Sequence, residues 1–235
     1  MRKMLLFIIC FFISATANAH EKMVFSTGEG ATIQDISVLV LIEAYKKIGY
    51  DIEIRRLPNA RALMSSNLGK VDGEVSRIKG INKKFTNLIR VPIAINFLEG
   101  YAFSKNPSLE ITNWESLRKY KLVCVRGVKF VEANLSKHNI DCHEVTLFTQ
   151  AVKLLQIDRY EAAVFPKING ICAIREAKVE DIKPVGNPLI KTKLYHYLHK
   201  KNSHRVNKIQ MVLEEMEKSG RIAEIRADYT QKNGY

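Results

Sequence analysis

Apolar positions along this chain follow two spacings, a helical one and a two-residue alternation, and the two spacings change over in a regular order. Met23-Val24-Phe25-Ser26 predicts a first strand, and Thr27-Gly28-Glu29-Gly30 the loop that leaves it. Ile36, Leu39, Val40, Ile42, Ala44 and Tyr45 give the broad apolar face of a helix from about Gln34 to Lys47, ended by Gly49. Tyr50, Ile52 and Ile54 alternate as a second strand, and Leu57-Pro58-Asn59 turns the chain into the stretch Arg61 to Arg77. That stretch predicts a short helix through Ala62, Leu63 and Leu68, a turn at Gly69-Lys70, and a buried strand bracketed by Val71 and Val75. Gly69 suits the left-handed residue that commonly ends a helix, and the strand end carries Glu74 and Arg77.

The same pattern returns 89 positions later, where Gln150 to Pro166 aligns with Arg61 to Arg77 without a gap. Ala62 falls on Ala151, Leu63 on Val152, Lys70 on Arg159, Asp72 on Glu161 and Val75 on Val164; further back, Glu43-Ala44 falls on Glu132-Ala133. Matches in the same order of elements predict two similar α/β lobes, each a mostly parallel sheet flanked by helices. Between the copies lie a polar loop from Lys79 to Thr86, an extended apolar passage to Phe103, the segment Trp114 to Leu117, a strand from Lys121 to Val125 and a helix near Phe130. After the second copy come the extended run Leu194 to Leu198, a helix spaced at Val206, Ile209, Leu213 and Met216 and ended by Gly220, and a short helix through Ile222 and Ile225.

Residues 1–19 carry a basic start at Arg2-Lys3, an apolar run from Met4 to Ile13 and a small-residue site at Ala17-Asn18-Ala19, the pattern of a secretory signal peptide cleaved near His20. The apolar run falls short of the roughly 20 residues that span a membrane, so the expectation is a soluble, exported chain. Losing Arg2 and Lys3 lowers the formal charge from +13 to +11. The remaining basic residues are scattered in pairs such as Lys46-Lys47 and Lys83-Lys84, without an arginine-rich helix or interleaved aromatics. They read as a solvated surface and not a nucleic-acid footprint. Three cysteines remain after the signal. Cys124 and Cys142 sit on segments that the repeat makes neighbouring strands, so a disulfide between them and three buried free thiols both stand as readings. No CxxC or clustered His/Cys pattern supports a metal, nothing calls for a cofactor, and His196, His199 and His204 read as exposed positions.

In doubly wound units ligands lie beyond the carboxyl ends of the strands, where Ser26, Thr27, Glu74 and Arg77 fall. Arg77 is the expected carboxylate anchor, because a guanidinium donates two parallel hydrogen bonds; its other reading is a salt bridge with Glu74 or Asp72. Glu74 is either an amine acceptor or that arginine's partner, and Arg61 either faces the cleft or is exposed. Arg126 precedes a helix whose amino end, at Gly127 and Val128, offers backbone donors to an anion. On the anchor reading, Arg77→Ala removes binding and leaves the melting temperature nearly unchanged.

GKVDGEV, SLRKYKLVCVRGV, DRYEAAVF and the closing LHKKNSHRVNKIQMVLEEMEKSGRIAEI occur in an order that resembles a family 3 extracellular solute-binding protein of the type II periplasmic-binding fold. The resemblance covers essentially the whole chain after the signal. It implies an α/β, two-lobed protein with residues 20–102 plus 191–235 in one lobe and 103–190 in the other. It also implies two extended crossings, near Ala102 to Lys105 and Leu189 to Thr192, and C-terminal helices that return to the first lobe. It implies a monomer that closes around a small ligand and works with a membrane permease or a sensor receptor. Amino-acid receptors of that family place an Asp where this chain has Pro166, so the expectation is a small carboxylate-bearing ligand other than an ordinary α-amino acid. A dehydratase-like enzyme of the same fold is the rival reading, with Glu29 and Glu74 as its cleft carboxylates.

Overall fold

Two strands of 17 residues each, β4 (Leu88–Ser104) and β8 (Lys183–His199), run through the molecule side by side. They pair antiparallel from Leu88 opposite His199 to Ser104 opposite Lys183. The structure, a computed structural model, describes residues 21–235; the signal peptide expected over residues 1–19 and its cleavage near His20 lie outside the described residues. Among the described residues no helix is long and apolar enough to cross a membrane.

On one side of the long pair stand β1 (Glu21–Gly28), β2 (Tyr50–Leu57) and β3 (Gly73–Ile78), and on the other β5 (Leu122–Val125), β6 (His143–Val145) and β7 (Ala162–Pro166). The sheet order is β2-β1-β3-β8-β4-β7-β5-β6. Within each trio the strands are parallel, and each trio joins the long pair by an antiparallel contact, β3 to β8 and β7 to β4. Parallel strands need helical crossovers, which α1 (Ile33–Lys47) and α2 (Asn59–Asn67) supply to the first trio, and α3 (Lys129–Lys137) and α4 (Phe148–Gln156) to the second. The fold is thus α/β and two-lobed, with a separate apolar core at each end. Phe25, Leu41, Tyr45, Val75 and Ile95 belong to one core; Phe103, Leu117, Val123, Phe130 and Phe165 belong to the other.

The 89-residue repeat holds residue for residue where it is clearest: α2 and β3 begin at Asn59 and Gly73, and α4 and β7 at Phe148 and Ala162. Upstream, Glu43-Ala44 and Glu132-Ala133 fall in the corresponding helices α1 and α3, but α1 has 15 residues and α3 only 9. Along β4 the side chains change core between Ile95 and Leu98, earlier than the crossing expected at Ala102 to Lys105. Alternation looks the same in either core, so the sequence pattern carries no mark of the change. Instead, irregular register between Arg90 and Asn96 and again between Gly100 and Ala102 marks the passage from one lobe to the other. The helix α5 (Lys167–Glu176) has no counterpart in the sequence reading. Beyond β8, α6 (Val206–Lys218) buries Ile209, Leu213 and Met216 in the first core, and α7 (Arg221–Asn233) adds Ile225. The tail then reaches α5, whose Arg175 donates to the carbonyls of Asn233 and Gly234.

Cys124 on β5 and Cys142 just before β6 form a disulfide with Cα atoms 5.9 Å apart, which decides between the two readings of the cysteines; Cys172 is free. The histidines depart from expectation: His204 is exposed, but His196 and His199 are buried, because β8 is an inner strand and not a surface run. His196 packs edge-on against Phe25 and lies 2.9 Å from both the Glu74 carbonyl and the Tyr45 hydroxyl. A ring nitrogen facing a carbonyl must donate, so Nδ1 carries the hydrogen and Nε2 accepts from Tyr45. Burial holds this imidazole neutral and lowers its pKa to about 4, against the two carbonyl hydrogen bonds that favour the charged form.

Because the folded pKa lies below the unfolded one, the unfolded chain takes up this proton first as the pH falls. The neutral His196 therefore contributes stability above the unfolded value near 6.5 that is lost between there and about 4. The loss should be on the order of 3 kcal/mol. Urea unfolding followed from pH 7 to pH 4 should show this fall, and a His196→Gln chain should show a shallower one. Equal slopes would place the protonation elsewhere.

Candidate functional site

Glu74, expected at the carboxyl end of a strand, is instead the second residue of β3, beside Ser26 near the end of β1; it is fully buried, and both of its oxygens are occupied. One accepts from Arg77 Nε at 2.7 Å; the other accepts from the hydroxyls of Ser26 at 2.9 Å and Ser66 at 2.7 Å. A desolvated carboxylate is tolerated only with a cation and hydrogen bonds around it, and this node supplies both. The Arg77 guanidinium closes on the same Glu74 oxygen through NH2 as well, at 2.5 Å, and its remaining hydrogens are directed elsewhere. Its NH2 donates to the Asn59 carbonyl at 3.2 Å, and its NH1 reaches the Gly127 carbonyl of the other lobe at 3.4 Å.

Gly127 closes this joint. Its φ of 86° lies in the left-handed region, and a Cβ there would stand 2.4 Å from the backbone nitrogen of Ala60 and 2.7 Å from the Asn59 carbonyl carbon. Only a residue without a side chain lets the turn after β5 rest against the amino end of α2. Behind the contact lies an inter-lobe cavity of about 40 Å³. Ile33, Asn59, Lys129 and Phe148, the first residues of α1, α2, α3 and α4, line it, as does Pro166, the cap of α5. Five helix amino ends therefore converge on one space and bring partial positive charge to it, with the first amide of α1 already taken by Asn169. The charged residues in the lining are Arg77 and Lys129, with no acid among them. The side-chain nitrogen of Asn59, a residue 5 % exposed, is a buried donor without a partner among the described residues. An unmatched buried donor of this kind costs about 1–3 kcal/mol, which an acceptor placed in the cavity would remove.

Of the residues expected from sequence, Arg77 and Val128 line this cavity. Glu74 and Ser26 stand behind Arg77 as its support. Thr27 is buried at the end of β1, outside the lining, and Gly127 acts through its carbonyl and its lack of a side chain. Arg61 is exposed on α2, and the exposed Arg126 reaches Glu144 at 2.7 Å. The amide of Gly127, expected to meet an anion, already donates to Glu132, whose other oxygen holds Lys129. Sequence reasoning missed Asn59, Gln34, Asn169 and Lys129. Asn59 had a signal: it follows Pro58 at the carboxyl end of a strand, the position that singled out Ser26 and Arg77. Asn169 had none, because it acts from the unforeseen α5, where its oxygen accepts from the Ile33 N–H at 2.8 Å.

The ion pair changes the expected cost of removing Arg77. Truncation leaves Glu74 buried without a cation, so Arg77→Ala should destabilise the chain by about 3–5 kcal/mol instead of leaving it unchanged. Replacing both partners, Arg77→Met with Glu74→Gln, should recover a large part of that loss. Chemical denaturation of the three chains checks this, and a single variant as stable as the parent would show the pair to be dispensable to folding.

No family model matches the chain. A curated relative, an uncharacterized protein of Shewanella oneidensis, is 27% identical over 190 residues, covering 77% of this chain and 71% of that protein. Solved structures agree over most of the chain at low identity. A histidine kinase sensor domain with similarity to periplasmic binding proteins has a TM-score of 0.77 at 17% identity, covering 89% of this chain and 96% of that one. An ancestral arginine-binding protein bound to glutamine has 0.75 at 18%, covering 89% and 96%. The substrate binding protein of an amino acid ABC transporter has 0.72 at 14%, covering 89% and 99%. With separate cores joined by two crossing strands, and with these likenesses, the chain has the two-lobed fold of the periplasmic binding proteins.

Proposed function

We propose that this chain is a periplasmic solute-binding protein that closes its lobes around a small carboxylate-bearing ligand, for import through a membrane permease or for signalling to a sensor receptor. The observation that carries the reading is the inter-lobe cavity, where five helix amino ends, Arg77 and the unpartnered Asn59 amide meet and no acid is present. Each of these features favours a negative ligand group over a positive one. The moving bodies are taken as residues 20–102 with 191–235 and residues 103–190, exported after cleavage near His20 and acting as a monomer. At about 40 Å³ the cavity is far smaller than the roughly 300 Å³ or more of small-molecule sites, so the ligand enters with the lobes apart.

The dehydratase-like alternative needs a free carboxylic acid opposite a base. Glu29 is exposed and Glu74 is bound to Arg77, so neither fills that role, and the solved structures named above are binding proteins and a sensor domain. Sensing and import share lobe closure; the sensor-domain likeness supports keeping both.

A thermal-shift screen of the mature chain against small carboxylates, their amides and amino acids tests the reading. A matching carboxylate at a hundredfold excess over its Kd should add about 2.7 kcal/mol of stability, and its amide far less. Asn59→Ala should weaken that ligand about tenfold, the worth of one buried hydrogen bond. Gly127→Ala, whose new methyl keeps the lobes from meeting, should remove the shift, and the left-handed backbone there should lower the unliganded melt by the strain of one alanine, about 1 kcal/mol. Turnover of any compound, with no melting shift across the screen, would reverse the ranking toward an enzyme.

A further inference from the structure

A second cavity lies on the crossing strands themselves and shares no lining residue with the first. It is a groove of about 720 Å³ walled by Ala94 to Phe97 of β4, Lys191 to Lys193 of β8 and the outer turns of α7. That volume falls within the range of small-molecule sites. Ala94, Ile95, Ile222, Ala223 and Ala227 make most of its surface apolar. Arg226 is set into this wall. Its guanidinium lies 3.6 Å from the centre of the Phe97 ring, and its NH1 donates to the Phe97 carbonyl at 3.0 Å and to the Asn96 side-chain oxygen. Both acceptors are neutral. Burial lowers the pKa of Arg226, and Glu99 acts on it only through space, since that carboxylate is engaged by Lys191 at 3.2 Å.

The hydrogen bonds of this half-buried guanidinium go to neutral oxygens, its charge is offset only through space by Glu99 and by the Phe97 ring, and among the described residues no carboxylate forms an ion pair with it. Nε and NH2, the edge suited to a carboxylate, take no part in those two bonds. Of the other charged residues in the lining, Lys191 is paired with Glu99, and Lys193 and Glu217 balance in number, so Arg226 is the cation left over. We propose that this groove binds an amphipathic monoanion, a carboxylate carried on a short apolar or aromatic body. The carboxylate sits on the open edge of Arg226, with Lys193 near, and the body lies along Ala94, Ile222 and Ala227. Charge complementarity fixes the head of the ligand, and the apolar lining fixes its other end.

Isothermal titration of the mature chain with phenylacetate, and with phenylacetamide as its uncharged counterpart, tests this. Phenylacetate should bind at least tenfold more tightly than the amide, and Arg226→Gln should abolish that preference. Ala223→Trp fills the groove and leaves Arg226 in place, so it should weaken phenylacetate at least tenfold and carries the test if Arg226→Gln does not fold. Gly127→Ala, which acts on the inter-lobe joint, should leave this binding intact, so failure here is distinguishable from failure of the inter-lobe reading. No measurable binding, equal binding of acid and amide, or phenylacetate binding that is lost in Gly127→Ala and kept in Arg226→Gln would each overturn the proposal.

Discussion

The burial of one carboxylate organises both the fold and the joint between the lobes. Glu74 is removed from water at the middle of the first lobe, where an uncompensated charge would cost several kcal/mol. Its needs are met from three directions, by Ser26 of β1, Ser66 of α2 and Arg77 further along its own strand. Meeting them ties the ends of β1 and α2 to the start of β3. The cation that neutralises Glu74 is large and planar, so satisfying one carboxylate leaves donors on its far side. Those donors find the backbone of Asn59 and, across the cleft, of Gly127. The contact between lobes is therefore a by-product of solving a burial problem inside one of them.

Much of this was legible in sequence, for reasons that can be named. The stretch from Arg61 to Arg77 and its copy were readable because a short helix, a turn and a buried strand each leave a local mark, and the two copies superimpose from Asn59 on Phe148 onward. The salt bridge of Arg77 with Glu74 was readable too, as one of two uses for that arginine, because they stand three positions apart in the chain. The choice between uses was not, since it depends on Asn59 and Gly127, 18 and 50 residues away. Burial of His196 was hidden for a similar reason: its run has ordinary alternation, and only the sheet order, which sets β8 between β3 and β4, makes it an inner strand. The helix α5 was not read from sequence although Ile168, Ile171 and Ile174 stand at helical spacing, because Pro166 and Gly170 give its first turns the look of a loop.

The electrostatics of the cleft are a contest between helix ends and the chain's own acids. Five amino ends face the cavity, but the carboxylate of Glu132 takes the Gly127 amide and Lys129, and the Asn169 oxygen takes the first amide of α1. These internal acceptors do for α3 and α1 what a ligand anion would otherwise do. They fix the positions of the helices without filling the cavity. What they leave open is NH1 of Arg77, held only by the 3.4 Å contact to Gly127, and the Asn59 amide, held by nothing among the described residues.

The repeat sharpens this into an asymmetry between the lobes. Arg77 and Pro166 occupy equivalent positions, 89 residues apart, and both line the cavity. One lobe thus presents a guanidinium at the end of its repeat. The other presents a residue with neither charge nor N–H, and from there α5 starts and turns another positive helix end inward. A zwitterion placed between them would find donors for its carboxylate on both sides, but its ammonium would face helix ends, Arg77 and Lys129 without a free acid, since Glu74 and Glu132 are already paired. At the repeat position the two lobes therefore differ in charge, with a guanidinium in one and an uncharged ring in the other.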